Sequence, residues 1–205
     1  MNVTPNDYPE RDAKTWNDPL ATEFIERIRK EQLDCAKLLE AWTENPIPFN
    51  GPARHGNPTA EESQRINLLS ALIDTFEVPD NVRMYRSTSR NMLTECLRKG
   101  ILFEEGNVVT LAGFTSVSAT KEANKATIKN FEQHGAKMTV EIEFFVPRGA
   151  KAIPISQASK PSKHTGEPRY EFQKEWLLQK DTKVLVLEKR QQKGKVFLKL
   201  LILNR

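Results

Sequence analysis

Hydrophobic positions along the chain change period near residue 80. Before it the spacing is helical. Phe24, Ile25, Ile28, Leu33, Ala36, Leu38, Leu39 and Trp42 recur three and four apart, which predicts an amphipathic helix over residues 20–42 with one break. Thr59-Ala60-Glu61-Glu62 has the form of a capping box and predicts a helix through Ile66, Leu69, Leu72, Ile73 and Phe76 that Pro79 ends. Residues 1–19 are polar, with Pro5, Pro9 and Pro19, and predict an irregular arm. Residues 46–58, rich in Pro, Gly and Asn, predict a loop.

Beyond residue 80 the period is two. Strands are predicted at 82–87, at 113–118 within 108–118, at 138–146, at 152–155, at 183–188 and at 196–203, the last two joined through Lys193-Gly194. Pro154 places the 152–155 strand near an edge or bulge. Residues 91–99 and 120–133 predict helices stopped by Gly100 and Gly135. Helices first and mostly strands afterwards predict an α+β fold, with a helical N-terminal part (residues 1–79) packed on a core (residues 80–205).

Composition narrows the class. Of 205 residues, 38% are hydrophobic and 28% charged, which permits a core and excludes wholesale disorder. No apolar run is long enough to cross a bilayer, and the N-terminus lacks a basic and then apolar signal region. The expected setting is the cytoplasm, of the producing cell or of a target cell after delivery. Cys35 and Cys96 lie far apart and the three histidines are scattered, so no metal site is expected. The net charge of +4 is uneven: residues 147–205 hold 14 Lys/Arg against 5 Asp/Glu, or +9, and the remainder sums to −5. The basic part fits either an anionic ligand or partner, or a solvated surface with lysines guarding edge strands.

Three stretches carry candidate chemistry. The first is Tyr170-Glu171-Phe172-Gln173-Lys174-Glu175-Trp176-Leu177-Leu178, where a polar segment containing Pro161, Gly166 and Pro168 feeds an apolar strand. Alternation is expected to place Gln173 and Glu175 on one face as the strand begins. A carboxylate on a rigid strand beside a loop suits catalysis; a solvated strand end is the plainer reading. The second is Arg86, inside a predicted strand, where its planar fork faces a phosphate or pairs with a carboxylate. The third is Gly113-Phe114-Thr115-Ser116-Val117-Ser118, whose hydroxyls orient a carboxylate or a ribose, or simply belong to a β-branched strand.

An arginine, a Phe-x-Ser-x-Ser strand and a Gln-x-Glu before an apolar strand, in that order, resemble the R-S-E class of mono-ADP-ribosyltransferases. That class includes the cholera-, iota- and C3-type toxins, bacterial effectors and phage Alt/Mod enzymes. The resemblance runs from Val82 to the C-terminus. It departs from the usual pattern at Val117, where threonine is common, at Ser87, where glycine is frequent, and at Gln173, where arginine-modifying members carry glutamate. It implies a mixed split β-sandwich core, NAD as co-substrate and no metal. It also implies roles. Glu175 stabilises positive charge developing on the ribose and accepts from its 2′-hydroxyl, and Ser116 holds Glu175 in place. Arg86 clamps the pyrophosphate, with Ser87, Phe114, Ser116 and Ser118 completing the NAD site. Phe114 packs near nicotinamide or serves the core. Gln173 positions the nucleophile, and Tyr170 and Phe172 meet the acceptor.

The implied acceptor is a macromolecule. The basic C-terminal part, Gln173 and Tyr170 lean toward a nucleic-acid base, RNA included, as in toxins of toxin–antitoxin and antiphage systems; a protein side chain is the near alternative. Two further readings are an NAD glycohydrolase toxin, using water as acceptor, and a non-catalytic RNA-binding module. The N-terminal helices would cover the NAD cleft or bind the target, an antitoxin or an inhibitor protein.

Overall fold

The computed structural model describes residues 4–89, 103–161 and 169–203. The helix expected at 91–99, and Gly166 and Pro168 of the polar segment, lie outside the described residues. The N-terminal arm is more regular than its prolines suggest, with a 3-10 turn at Pro5–Asp7 and a π-helical turn at Ala13–Asn17. Asp12 caps the latter by accepting from the Thr15 amide.

The predicted broken helix is α1 (Asp18–Glu31) and α2 (Leu33–Glu44), separated at Gln32, which leaves helical geometry at φ −142°. The loop expected over 46–58 is in fact largely a helix, α3 (Ile47–His55). Pro48 sits in its first turn, where a missing N–H costs nothing, and Pro52 forgoes one intrahelical bond. Burial of Phe49 and Asn50 holds the helix. The capping box is present at the start of α4 (Ala60–Asp74): Thr59 accepts from the Glu62 amide, and the Glu62 carboxylate accepts from the Thr59 amide. The fifth described helix, α5 (Lys121–Gln133), is capped by the Thr120 hydroxyl. No helix among the described residues is long and apolar enough to cross a membrane.

The strands are β1 (Val82–Thr88), β2 (Val108–Leu111), β3 (Thr115–Ser118), β4 (Val140–Val146), β5 (Ala152–Pro154), β6 (Glu175–Leu178), β7 (Thr182–Gln192) and β8 (Lys195–Ile202). They form one mixed sheet in the order β2-β7-β8-β4-β1-β3-β6-β5. β4 and β8 are parallel and every other neighbouring pair is antiparallel. β5, with Pro154, is an edge strand as expected. The sheet is split at one seam: β1 pairs with β4 over seven positions but meets β3 at the single pair Tyr85–Ser118.

Alternation on the three-stranded part sends its residues into two cores. Val117, Trp176 and Leu178 join the cluster of Met84, Val140, Phe144, Val184 and Leu200 from the five-stranded part. Phe114, Ile153 and Leu177 join the helical cluster of Phe24, Ile28, Leu39, Trp42, Phe49 and Leu69. The small strands are therefore buried on both faces, between the larger sheet and α1–α4. Tyr8 of the arm packs edge-on to Phe145 at 5.5 Å, beside Leu201.

α3 is tied to the seam through Asn50. Its amide donates to the Phe114 carbonyl at 3.1 Å, and its carbonyl accepts from the Phe114 amide at 2.9 Å. Gly113 makes that approach feasible: its φ is +72°, and a Cβ there would sit 2.7 Å from Asn50 Oδ1. Gly113→Ala is expected to destabilise the protein by roughly 1–3 kcal/mol, from backbone strain and the displaced Asn50. Denaturant titration checks this; an unchanged midpoint contradicts it.

Candidate active site

The seam between the two parts of the sheet gathers the sequence-predicted residues. Ser118 lies opposite Tyr85 on β1 and opposite Glu175 on β6, while Ser116 lies opposite Leu177. Leu177 faces the helical core and Val117 and Trp176 face the inter-sheet core, so period two puts Ser116, Ser118 and Glu175 on the helix-facing side. Arg86, on β1, reaches across the seam and donates from Nη1 to the Ser116 carbonyl at 2.5 Å. A guanidinium thus reinforces the join where the ladder has only one pair. Ser87 accepts from the Asn124 amide of α5 at 3.1 Å.

Glu175 is half-buried, with its carboxyl in densely packed surroundings. Burial pushes this carboxyl above its ordinary range, opposed by the Ser116 hydroxyl, the Arg86 guanidinium and the Trp42 indole N–H. All three opposing groups favour the ionised form. Ser116 and Arg86 were expected here from the sequence; Trp42 was not. It sits near the end of α2, buried, with its ring edge-on to Phe49 at 5.4 Å and to Phe114 at 5.6 Å. Its only sequence signal was a core position on a helix. Phe114 is fully buried against it, within the helical cluster.

α3 adds a second guanidinium that the loop reading missed. Arg54 donates from Nε to the Ala112 carbonyl at 3.3 Å, next to Gly113. Asn50 and Arg54 share one side of α3, four residues apart, and both bond the chain leading into β3.

The stretch expected to meet the acceptor differs from the expectation in one respect. Gln173 and Glu175 are not placed by strand alternation. Glu171–Gln173 is a 3-10 turn, Lys174 is left-handed at φ +44°, and β6 begins only at Glu175. Gln173 therefore belongs to the turn and Glu175 to the sheet. Phe172 is 38% exposed on the turn. Tyr170 precedes it, half-buried, with the Arg169 guanidinium 5.2 Å above its ring and its amide donating to Ser159 Oγ at 3.1 Å.

The basic C-terminal charge is not an open field. Lys151 pairs with Glu77, Lys160 with Glu40, Lys174 with Asp18 and Glu171, Lys189 with Glu104, Lys195 with Glu141 and Lys199 with Glu188. Most of those carboxylates come from the acidic first part of the chain. Five of the fourteen basic residues after Pro147 thus meet carboxylates from the acidic first part of the chain.

Comparison with known proteins gives a consistent picture. The family model described as ADP-ribosyltransferase exoenzyme matches residues 7–204. No curated protein sequence matches the chain. Among solved structures, the chain is similar to Plx2a, an ADP-ribosyltransferase toxin from Paenibacillus larvae, at 19% identity and a TM-score of 0.69, covering 94% of this chain and 95% of that one. It is similar to C3stau2 from S. aureus, solved with NAD, at 16% identity and a TM-score of 0.69, covering 97% and 98%. It is similar to the ADP-ribosyltransferase Vis, solved with agmatine, at 16% identity and a TM-score of 0.59, covering 96% and 88%.

Proposed function

The chain belongs to the ADP-ribosyltransferase exoenzyme family, and from that premise we propose that Glu175, Arg86 and Ser116 carry its transfer chemistry and that Gln173, Tyr170 and Phe172 receive a protein side chain. The enzyme is an NAD-dependent mono-ADP-ribosyltransferase of a toxin family. The donor set at the seam suits NAD: a guanidinium for the diphosphate, serine hydroxyls for a ribose, and a carboxylate for developing positive charge. A guanidinium has five N–H donors, so holding the Ser116 carbonyl and clamping a phosphate are compatible. Ser87 and Ser118 line the same strands and complete the NAD site in this reading.

The observation that carries the assignment is Glu175, half-buried at the meeting of β1, β3 and β6 and served by groups that favour its ionised form. Breaking the bond between ribose and nicotinamide leaves positive charge on the sugar. An ionised carboxylate fixed by Ser116 and Trp42 opposes that charge without having to reorganise. The helical part, residues 1–79, then supplies one wall of the site through Trp42, Asn50 and Arg54.

For the acceptor we favour a protein over the nucleic-acid base toward which the sequence leaned. Phosphate contacts dominate nucleic-acid binding, and several of the lysines that suggested them are engaged by carboxylates. The turn itself presents an exposed Phe172 and a half-buried Gln173, with Lys174 neutralised by Asp18 and Glu171. An apolar ring beside a carboxamide suits a protein surface offering an amide side chain. The Arg169–Tyr170 stack supports the second reading, a base held between flat groups.

Gln173→Ala and Tyr170→Ala are expected to lose label on macromolecules while still releasing nicotinamide slowly, water replacing the nucleophile. Paired assays of nicotinamide release and incorporated label check this. Equal loss of both activities overturns the acceptor role of these residues.

A further inference from the structure

The two chain neighbours of Glu175 are gripped by two consecutive residues at the start of α1. Asp18 pairs with Lys174 Nζ at 3.0 Å through Oδ1, and at 3.1 Å through Oδ2. Asn17 accepts from the Trp176 indole N–H at 2.7 Å, is fully buried, and donates to Asp18 Oδ1 at 2.8 Å. Trp16, one residue earlier, stacks on Trp176 with ring centroids 5.2 Å apart. A segment 156 to 159 residues away in sequence thus holds Lys174 and Trp176 on either side of the catalytic carboxylate.

Lys174 is the residue that needs holding. Its φ of +44° is a conformation that side chains other than glycine's rarely adopt, and it makes the bend that swings Gln173 off the strand. Its amide donates to the Glu171 carbonyl at 3.0 Å, and its carbonyl accepts from the Ala119 amide at 2.9 Å. Its side chain is only 17% exposed and its ammonium also meets Glu171 at 3.2 Å, so one cation ties the first residue of the turn to the N-terminus of α1. Glu175 has separate supports in Ser116, Arg86 and Trp42. The Asp18–Lys174 bond is therefore not among the contacts that hold the Glu175 carboxyl.

We propose that Asn17 and Asp18 form a clamp that sets the position of the acceptor turn relative to the catalytic carboxylate, with Asp18 and Lys174 as positioning residues for transfer as distinct from NAD cleavage. The proposal rests on the assignment of Gln173 and the turn to the acceptor side. Loosening the Asp18–Lys174 bond lets Gln173 drift while Glu175 stays, and misplacement by an ångström is enough to cost ~10²-fold in a reaction between two bound groups. NAD cleavage by water makes no use of Gln173 and escapes that penalty.

The test uses the full chain, with labelled NAD and a cell lysate as the source of acceptor. Asp18→Asn keeps the shape and removes the charge. Incorporated label is expected to fall about 10-fold or more, with nicotinamide release without lysate changed less than about 3-fold. Asp18→Glu should recover part of the label. Lys174→Gly accommodates the left-handed backbone but lacks the ammonium, so it is expected to lose label as Asp18→Asn does, and the double variant should lose no more than either single one. Label and nicotinamide release falling in the same proportion with a lower melting temperature, full labelling by Lys174→Gly, or additive losses in the double variant would each overturn the clamp. Wild type that cleaves NAD but labels nothing would instead overturn the acceptor assignment on which it rests.

Discussion

Glu175→Gln is expected to lower the rate of ADP-ribosyl transfer by ~10²–10³-fold or more, because it removes the charge that opposes the developing positive centre while keeping the shape of the side chain. The fold should survive, and the pH dependence of stability gives the expectation a sign. Burial holds the Glu175 carboxyl above its ordinary value of 4.5, despite Ser116, Arg86 and Trp42. A raised folded value means that this group's contribution to stability is full below the unfolded value and is lost as pH rises through the folded one. At neutral pH the ionised Glu175 is a net cost, so the glutamine variant should melt at or above the temperature of the wild type, with the difference closing as pH falls toward 4.5. Transfer needs the ionised form, so the acid limb of kcat/KM in the wild type should lie above 4.5. A variant with near wild-type transfer, or one that melts well below the wild type at neutral pH, contradicts the reading.

Arg86 gives the second large effect. Arg86→Ala is expected to weaken NAD binding about tenfold or more, since a hydrogen bond to a charged group is worth ~1.5–3 kcal/mol and tenfold corresponds to ~1.4. Arg86→Lys should not restore it, because a point charge cannot reproduce a planar fork on phosphate. The structure adds a stability effect: the lost bond to the Ser116 carbonyl lies next to the single pair joining β1 to β3. Calorimetry with a non-hydrolysable NAD analogue, run beside a melting curve, separates the two. Unchanged affinity with a lower melting temperature would reduce Arg86 to a structural tie.

Much of this was legible in the sequence, for physical reasons. The switch in period from helical to two located the strands that meet at the seam, and the capping box at Thr59 is local chemistry. Arg86, Ser116 and Glu175, which meet at the seam, could be placed from sequence because each sits in or beside a strand whose pattern is clear. α3 was missed because Pro48, Gly51 and Pro52 argue for a loop, and only the burial of Phe49 and Asn50 under β3 overrides them. Trp42 was missed because its contact with Glu175 joins α2 to β6, and helical spacing marks a residue as core without naming what it touches. The left-handed Lys174 was missed because nothing in a lysine signals positive φ; it is imposed by Asp18 and Glu171 from outside and within the turn. Counting charges along the chain suggested a basic face, whereas folding pairs five of those lysines with acids from the other part.

The most direct measurement of the central claim mixes the purified protein with radiolabelled NAD and a cell lysate and divides the product among protease, RNase and DNase. Label on a macromolecule that protease removes, that both nucleases leave, and that Glu175→Gln fails to make is the predicted result. Label that a nuclease removes would place the acceptor among nucleic acids, and free ADP-ribose with no macromolecular label would contradict transfer altogether.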